Sequence, residues 1–220
     1  MSIDRRTVLL GLGGAALTSC AAPGSAVYQI VDSYRALDRA KKEYPNTRAQ
    51  IDAQPLGVMG VQVEDGLKGL VLREKRENGQ DYWRSGNGVL LVTQAGRLIR
   101  TTGFPEDQLD SQVLSGVEPL GQMMDPALRY EVSRELGFAA PQPAMQANYS
   151  LQYVRDVTVQ WLGETYEVAE WAETVRLPQL RRKWKQLIQV DRSTGVVLRS
   201  IQHVGPKTRV ILELLKPPTV

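Results

Sequence analysis

Alternation of apolar and polar side chains is the feature that most limits the folds this chain can adopt. Its clearest run begins at Tyr149 and ends at Trp161, where apolar residues occupy most of one set of alternate positions and polar residues occupy most of the other. Because successive side chains of a strand point to opposite faces, this period of two predicts a β-strand with one buried face. Turn-forming residues divide the following stretch in the same way, which predicts a meander of about five strands over residues 149–216.

An earlier meander is predicted over residues 67–104. Asn78-Gly79 separates two strand-like runs, and this dipeptide supplies the positive φ values that a tight type I′ hairpin turn requires. Glycine-containing turns follow at 86–88 and 94–96, so we expect about four antiparallel strands in this part of the chain.

Residues 105–143, between the two meanders, give a different signal. Prolines interrupt them and only weak helical patches occur, for example over 126–136, so we expect an irregular connecting segment with short helices. Nearer the N-terminus, apolar residues between Tyr28 and Lys41 fall at helical spacing and predict an amphipathic helix.

The predicted fold class is mainly β. About nine antiparallel strands, with no alternation of strands and crossover helices, indicate antiparallel meanders that form a barrel, a half-barrel or a sandwich. An N-terminal helix and short connecting helices complete a single β-rich domain over residues 27–220. Because a sheet of this size tends to curl, its interior could hold a ligand.

The first nineteen residues have the pattern of a signal peptide. Charged residues at 4–6 precede an apolar run of ten residues, 8–17, and small residues follow it. The apolar run is about half the ~20 residues that a membrane-spanning helix needs. Residues 1–19 are therefore expected to be an export signal that is removed.

The end of this segment, Leu17-Thr18-Ser19-Cys20, resembles a bacterial lipobox. The resemblance implies that the thiol of Cys20 receives a diacylglycerol and that residues 20–26 form a lipidated tether. Ala21 stands where an Asp would resemble an inner-membrane retention signal, so we expect an outer-membrane anchor facing the periplasm. The paired Arg5-Arg6 also resembles a twin-arginine signal, which leaves the export route open between the general and the twin-arginine systems.

Residue counts exclude several functional classes. One Cys and one His cannot form an internal disulfide or supply the ligands of a Cys/His metal centre, and we expect neither a metal site nor a cofactor. A formal net charge of +3 gives little support to a long nucleic-acid footprint, so no nucleic-acid partner is expected.

No catalytic group emerges from the pattern, and we expect a protein that is not an enzyme. His203 is the sole imidazole, no Gly-x-Ser-x-Gly elbow accompanies it, and a structural or solvated role is expected. Glu167 and Glu173 share a face of one predicted strand but lie ~20 Å apart, too far to act as a glycosidase pair. These two carboxylates and Glu170 are expected on a solvent-facing sheet surface.

A few aromatic and basic residues are candidates for contact with a glycan or a partner protein. Tryptophan rings offer flat apolar faces to sugars, and Arg or Lys would attract an acidic polymer. Two other interpretations stay open, because aromatic residues in strands are commonly core and basic runs are commonly solvated edges. The candidates are Trp83, Arg97, Arg100, Arg182, Trp184 and Lys185.

Several hairpin sequences together resemble one bacterial family. They are Tyr82-Trp83-Arg84-Ser85, the run from Leu90 to Phe104, and later Trp184, the segment from Val190 to Gln202 and Pro206. With the lipobox and the initial helix, they are similar to the YjbF/GfcB family of outer-membrane lipoproteins linked to exopolysaccharide and capsule production. These motifs are structural, so the resemblance implies no catalytic residue.

The resemblance implies a lipid-anchored outer-membrane protein that assists export or assembly of a polysaccharide. It would bind the polymer or a protein of the export apparatus, and the membrane would be its other partner through the lipid anchor. The alternative is a periplasmic carrier that holds a lipid or acyl chain in a half-barrel cavity; an enzyme ranks third. A dry apolar lining would favour the lipid, and a groove with Trp and Arg would favour the glycan.

Overall fold

A single antiparallel sheet dominates the molecule. The structure is a computed structural model that describes residues 48–63, 66, 68–104, 106–139, 143–161 and 163–218, and these residues contain twelve strands in one sheet. The strands are β1 (Val58–Val63), β2 (Lys68–Glu77), β3 (Gln80–Arg84), β4 (Leu90–Gln94), β5 (Arg97–Thr102), β6 (Gln108–Ser115), β7 (Arg129–Phe138), β8 (Met145–Trp161), β9 (Glu164–Leu177), β10 (Arg182–Asp191), β11 (Val197–His203) and β12 (Arg209–Lys216). A short helix, α1 (Arg48–Asp52), precedes β1, and a 3-10 turn (Pro178–Leu180) lies between β9 and β10.

The strand order shows how the sheet curls into a nearly closed barrel. It runs β5-β4-β3-β2-β1-β12-β11-β10-β9-β8-β7-β6, so each strand lies beside its neighbour in sequence except where β1 pairs with β12. The two edge strands, β5 and β6, are consecutive in the chain. We call the line along which they meet the seam.

Side chains rather than a backbone ladder hold the seam. The backbone N–H of Gln108 in β6 donates to Oγ1 of Thr101 in β5 at 2.9 Å. In the opposite direction, Nε of Arg100 donates to the carbonyl of Leu109 at 3.1 Å. An antiparallel sheet ordinarily closes by backbone pairs, so this junction is the weaker part of the barrel wall.

Gln202 of β11 covers the edge of β5 from inside the barrel. Its Oε1 accepts from the backbone N–H of Leu98 at 2.9 Å, and its Nε2 donates to the carbonyl of Gly96 at 2.8 Å. One side-chain amide thereby satisfies a donor and an acceptor that a neighbouring strand would otherwise satisfy.

Apolar side chains fill both faces of the sheet near its centre. Trp171 is 1% exposed and lies between the edge-on rings of Tyr130 and Tyr153, with centroid distances of 5.8 and 5.6 Å. Met59 belongs to one cluster, whereas its neighbour Val58 belongs to another, because side chains alternate along β1. No helix among the described residues is long and apolar enough to cross a membrane.

The mainly β class and the antiparallel meanders are confirmed. The first predicted meander corresponds to β2–β5, and the second contains β9–β12 and most of β8. The predicted irregular segment is wrong over much of its length, because residues 105–143 contain β6 and β7 and no helix among their described residues. The predicted helix at 28–41, the signal peptide and Cys20 lie outside the described residues.

The physical reason for the error is the burial of these two strands. In β6 most side chains are exposed or half-buried, so no apolar alternation marks it. In β7 the buried positions do alternate, but one of them is Arg134, which breaks the apolar series. Its charge is balanced inside the barrel, and a pattern of residue types does not reveal that.

Candidate functional site

A cavity of about 350 Å³ lies between the first strands of the barrel and its last two. This volume is within the ~300–1,000 Å³ usual for sites that take small molecules. The side chains that define it come from β1–β4 and β12, from the turn before β5, and from residues in and next to β11. They are Met59, Arg73, Arg76, Asp81, Trp83, Thr93, Ala95, Val196, Val197, Leu198, Arg199, Ser200, Leu212 and Leu214, with Gly96, Gly121, Pro217 and Pro218 beside them.

The deeper wall is apolar and rigid. Met59, Trp83 and Leu212 are each at most 5% exposed and belong to one hydrophobic cluster. Nε1 of Trp83 donates to Oγ1 of Thr93 at 2.9 Å, so the indole is held in one orientation across the β3–β4 pair. A ligand that enters the cavity would meet a preformed apolar surface.

The mouth is charged. NH1 of Arg73 lies 3.4 Å from Oδ1 of Asp81, and Nε of Arg76 lies 3.9 Å from the same oxygen. The side chain of Arg76 is 61% exposed, whereas those of Arg73 and Asp81 are 16% and 15% exposed. Two guanidinium groups therefore share one carboxylate at the opening.

The register of the β2–β3 hairpin places these charges. The Asn78-Gly79 turn, with positive φ at both residues, puts Arg76 directly opposite Asp81 in the ladder. Sequence reasoning did not single out Arg73, Arg76 or Asp81. The signal was available, because a two-residue turn at 78–79 fixes that pairing once the hairpin has been assigned.

Arg199 contributes to another wall, where a carboxylate balances its charge. Its guanidinium contacts Glu213 across β11–β12 and lies 4.9 Å from the centre of the Trp161 ring. Side chains of Arg199 and Glu213 are 3% and 2% exposed. This ion pair is part of the buried wall. The polar groups of the cavity that solvent can reach therefore lie at the mouth.

Gly96 allows the β4–β5 turn to close against β11. Its φ is +85°, and a Cβ at this position would lie 2.5 Å from Cβ of Val197. Both the backbone conformation and the space therefore require glycine. The close approach forms one side of the cavity.

Of the candidate contact residues from the sequence, Trp83 lines this cavity and the others lie elsewhere. Arg97 is buried at 3% exposure, where NH1 and NH2 donate to Glu173 at 2.7 and 2.6 Å. Glu118 lies 3.2 Å from the same guanidinium. Arg97 is therefore an internal ion-pair residue and offers no surface contact.

Arg97 is the centre of a buried network across the barrel. NH2 of Arg134 in β7 lies 3.1 Å from Oε2 of Glu118, which also accepts from Nε of Arg97, and the Tyr149 ring lies 4.9 Å from the Arg97 guanidinium. Burial raises the pKa of Tyr149 to about 12, so its phenol stays protonated. Burial opposes the charge of Arg97, but Glu118 and Glu173 raise its pKa above the ordinary value. The network joins β5, β7, β8 and β9.

Trp184 is also buried, at 7% exposure, and stacks on His203 with centroids 4.5 Å apart and planes 4° apart. Nε2 of Gln186 lies 3.3 Å from Nδ1 of this imidazole. Burial lowers the pKa of His203 to about 3, and the charge of Arg209 acts in the same direction. His203 is therefore neutral at physiological pH and has a packing role.

Three basic candidates lie on the outside, apart from one another and from the cavity. Nζ of Lys185 donates to Oγ1 of Thr174 at 2.6 Å, and NH1 of Arg182 donates to the carbonyl of Pro206 at 3.0 Å. Arg100 is exposed at the seam. The structure does not assemble them into one patch.

The expectation that the β9 carboxylates face solvent holds only for Glu167. Glu170 and Glu173 are 2% and 1% exposed. Glu170 accepts from Nε of Arg155 and from Nε2 of Gln189, both at 2.8 Å. Basic and amide partners on neighbouring strands permit this burial, and the periodicity of β9 alone does not reveal them.

Comparison with known proteins gives consistent matches over the same region. The family model described as group 4 capsule polysaccharide lipoprotein gfcB, YjbF matches residues 29–215. The uncharacterized lipoprotein GfcB of Escherichia coli K12 is 25% identical over 191 residues, covering 86% of this chain and 89% of that protein.

A solved structure shows the same fold. The crystal structure of the hypothetical lipoprotein YmcC from Escherichia coli K12 superposes with a TM-score of 0.67 at 24% identity. The match covers 87% of this chain and 97% of that one. Because the family model matches nearly the whole barrel, the chain belongs to the YjbF/GfcB family of group 4 capsule polysaccharide lipoproteins.

Proposed function

We propose that this protein is a non-enzymatic component of capsule or exopolysaccharide secretion that binds a short saccharide segment of the polymer in its barrel cavity. Cys20 would carry the lipid that anchors it in the outer membrane, with the barrel facing the periplasm. Membership of a capsule lipoprotein family supports the role in polysaccharide production. The saccharide-binding step is our inference from the cavity.

The mixed lining of the cavity is the observation that carries this proposal. A sugar ring has apolar C–H faces and an edge of hydroxyl groups, so it needs a flat apolar wall beside hydrogen-bonding groups. Trp83 and Leu212 supply the first, while Asp81 and the arginines of the mouth supply the second. Few, well-placed polar groups in an apolar pocket are typical of specific small-molecule sites.

A lipid or acyl-chain carrier is the second candidate, favoured by the apolar residues Met59, Leu212 and Leu214. Hydroxyl and charged groups also line the cavity, and such groups hold water, which opposes a dry acyl site. Mass spectrometry of organic extracts of the purified protein separates the two candidates. A stoichiometric lipid besides the Cys20 anchor, lost on filling the cavity, would favour the carrier.

The saccharide proposal is tested by filling the cavity. Leu214 lines it and is half-buried, so Leu214→Trp should occupy its space while the barrel still folds. In a deletion strain, we expect this variant to reach the normal protein level but to leave surface polysaccharide near the level of the deletion.

Leu114→Trp is the matched control, because Leu114 is 54% exposed on β6 and does not line the cavity. It should restore surface polysaccharide fully. Equal restoration by both variants would contradict a role for the cavity.

The anchor is tested separately. Cys20→Ala should abolish incorporation of labelled palmitate and release the protein from outer-membrane fractions. Labelling that persists in this variant would contradict lipidation at Cys20.

A further inference from the structure

We infer that the cavity selects an acidic sugar, a pyranose with a carboxylate, whose anionic group binds Arg76 at the mouth. The inference rests on the proposed function, since it names the class of sugar that this same cavity takes. It follows from the charge of the mouth, from its distance to the apolar wall, and from the chemistry of guanidinium groups.

The charged residues at the mouth of the cavity favour an anionic ligand. Among the residues that line the cavity, Asp81 is the carboxylate, and it faces both Arg73 and Arg76. Arg199, the other lining cation, already contacts Glu213. A cationic ligand would have to displace a guanidinium from Asp81. An anionic ligand would instead give one of these guanidinium groups a second anionic partner.

Arg76 is the group placed to receive that anion. Its Nε lies 3.9 Å from Asp81, longer than a hydrogen bond, and its side chain is 61% exposed at the opening. A guanidinium has five N–H donors in a planar fork that matches a carboxylate with two parallel hydrogen bonds. An amide or a hydroxyl group of a neutral sugar matches the planar guanidinium less well than a carboxylate does.

The spacing along β3 fits a single sugar. Asp81 and Trp83 lie two residues apart on the same face of the strand, which separates them by roughly 7 Å. Arg76 lies opposite Asp81, and Trp83 belongs to the apolar wall. A pyranose against that wall can therefore direct a ring substituent toward Arg76.

The test compares two disaccharides that differ by one carboxylate. Cellobiouronic acid and cellobiose have the same rings and linkage, and they are titrated by calorimetry against the full lipidated protein in neutral detergent. We expect the acid to bind at least about tenfold more tightly at low ionic strength. Because salt screens exposed charges, the difference should shrink at about 0.5 M salt.

Arg76→Gln should remove most of the tenfold difference, because it should weaken binding of the acid far more than binding of cellobiose, which has no carboxylate. The matched control is Arg84→Gln. Arg84 of β3, like Arg76 of β2, is an exposed arginine that faces a carboxylate, in this case Glu74 at 2.9 Å, but it does not line the cavity. This control should keep the full preference for the acid.

The outcomes separate the two levels of the proposal. Equal binding of the two disaccharides, or an undiminished preference in Arg76→Gln, would overturn the charge selectivity and leave saccharide binding intact. If neither disaccharide binds the wild-type protein, the proposed saccharide site itself fails. Binding of both that survives Leu214→Trp places the sugars outside the cavity and overturns this inference.

Discussion

Charged residues inside the barrel are individually among the most consequential side chains of this protein. Arg97 and Glu173 are 3% and 1% exposed and bind each other through two hydrogen bonds. Moving such groups out of water is costly, so each depends on its partner for compensation. Their position explains why an arginine that could have been a surface contact is instead part of the core.

Glu173→Gln should destabilise the protein by about 3 kcal/mol, because the Arg97 charge would remain buried with one carboxylate fewer. Glu118 still contacts Arg97, which keeps the loss near the lower end of the range for broken buried pairs. Urea unfolding at neutral pH measures the change. The control is Glu77→Gln in the Lys75–Glu77 pair, whose side chains are 52% and 53% exposed and whose loss should leave the urea midpoint nearly unchanged. Similar losses in the two variants would contradict a buried role for Glu173.

His203 should make stability depend on pH. Its folded pKa of about 3 lies below the unfolded value of about 6.5, so below pH 6.5 the unfolded chain binds a proton that the native imidazole does not. The His203 contribution is therefore complete above pH 6.5 and is lost as pH falls toward 3, by about 1.4 kcal/mol per pH unit. Between pH 7.5 and pH 5, the free energy of unfolding should decrease less for His203→Phe than for the wild type. Identical falls would show that His203 does not titrate in this way.

At the scale of strands, the seam is the element most dependent on side chains. Gln202 supplies the edge of β5 with a donor and an acceptor, and Thr101 and Arg100 make the contacts to β6. An edge covered in this way offers few free backbone groups to another protein. At the seam between β5 and β6, side chains thus take the place of a backbone ladder.

Gln202→Leu should expose the β5 edge. The Leu98 N–H and the Gly96 carbonyl would lose their partner, at a cost of about 2 kcal/mol in total. We expect the Leu98 amide to exchange with solvent at least about tenfold faster, while amides of the β9–β10 ladder change less. Gln112→Leu is the control, since Gln112 is exposed on β6 and donates only to Asp110 at 2.7 Å. Unchanged exchange at Leu98 would contradict the bridging role of Gln202.

How far the sequence predicts each element depends on what the element buries. The β8 strand was predictable because its apolar face alternates, and the β2–β3 hairpin because Asn78-Gly79 specifies its turn. By contrast, β6 buries little and β7 buries Arg134, so neither gives an apolar alternation. Trp83 was predicted as a contact residue and lines the cavity; the charged mouth was missed because its function depends on strand register rather than on composition.

On the scale of the whole molecule, pairing between β1 and β12 decides the architecture. Val61 of β1 lies opposite Leu212 of β12, although they come from opposite ends of the described chain. Most other neighbouring strands are joined by short turns. The barrel thus combines many local hairpins with one pairing of very long range, which is expected to form late and to slow folding.

Val61→Ala and Val168→Ala should therefore affect folding kinetics differently. Val168 is 0% exposed in the local β8–β9 hairpin, opposite Val157, whereas Val61 is 7% exposed in the long-range pair. We expect Val61→Ala to act mainly by speeding unfolding, and Val168→Ala to slow folding as well. Stopped-flow chevron plots measure both rates. A larger slowing of folding in Val61→Ala would show that the β1–β12 pair forms early.

The same long-range pairing makes the cavity depend on strands from both ends of the described chain. Its walls come from β1–β4 on one side and from β11 and β12 on the other, so neither part of the chain contains the cavity alone. A chain that ends before Arg209 lacks β12, and with it the wall of the cavity that Leu212 and Leu214 form. Under the function proposed above, only molecules whose β12 strand is in place would engage the polymer.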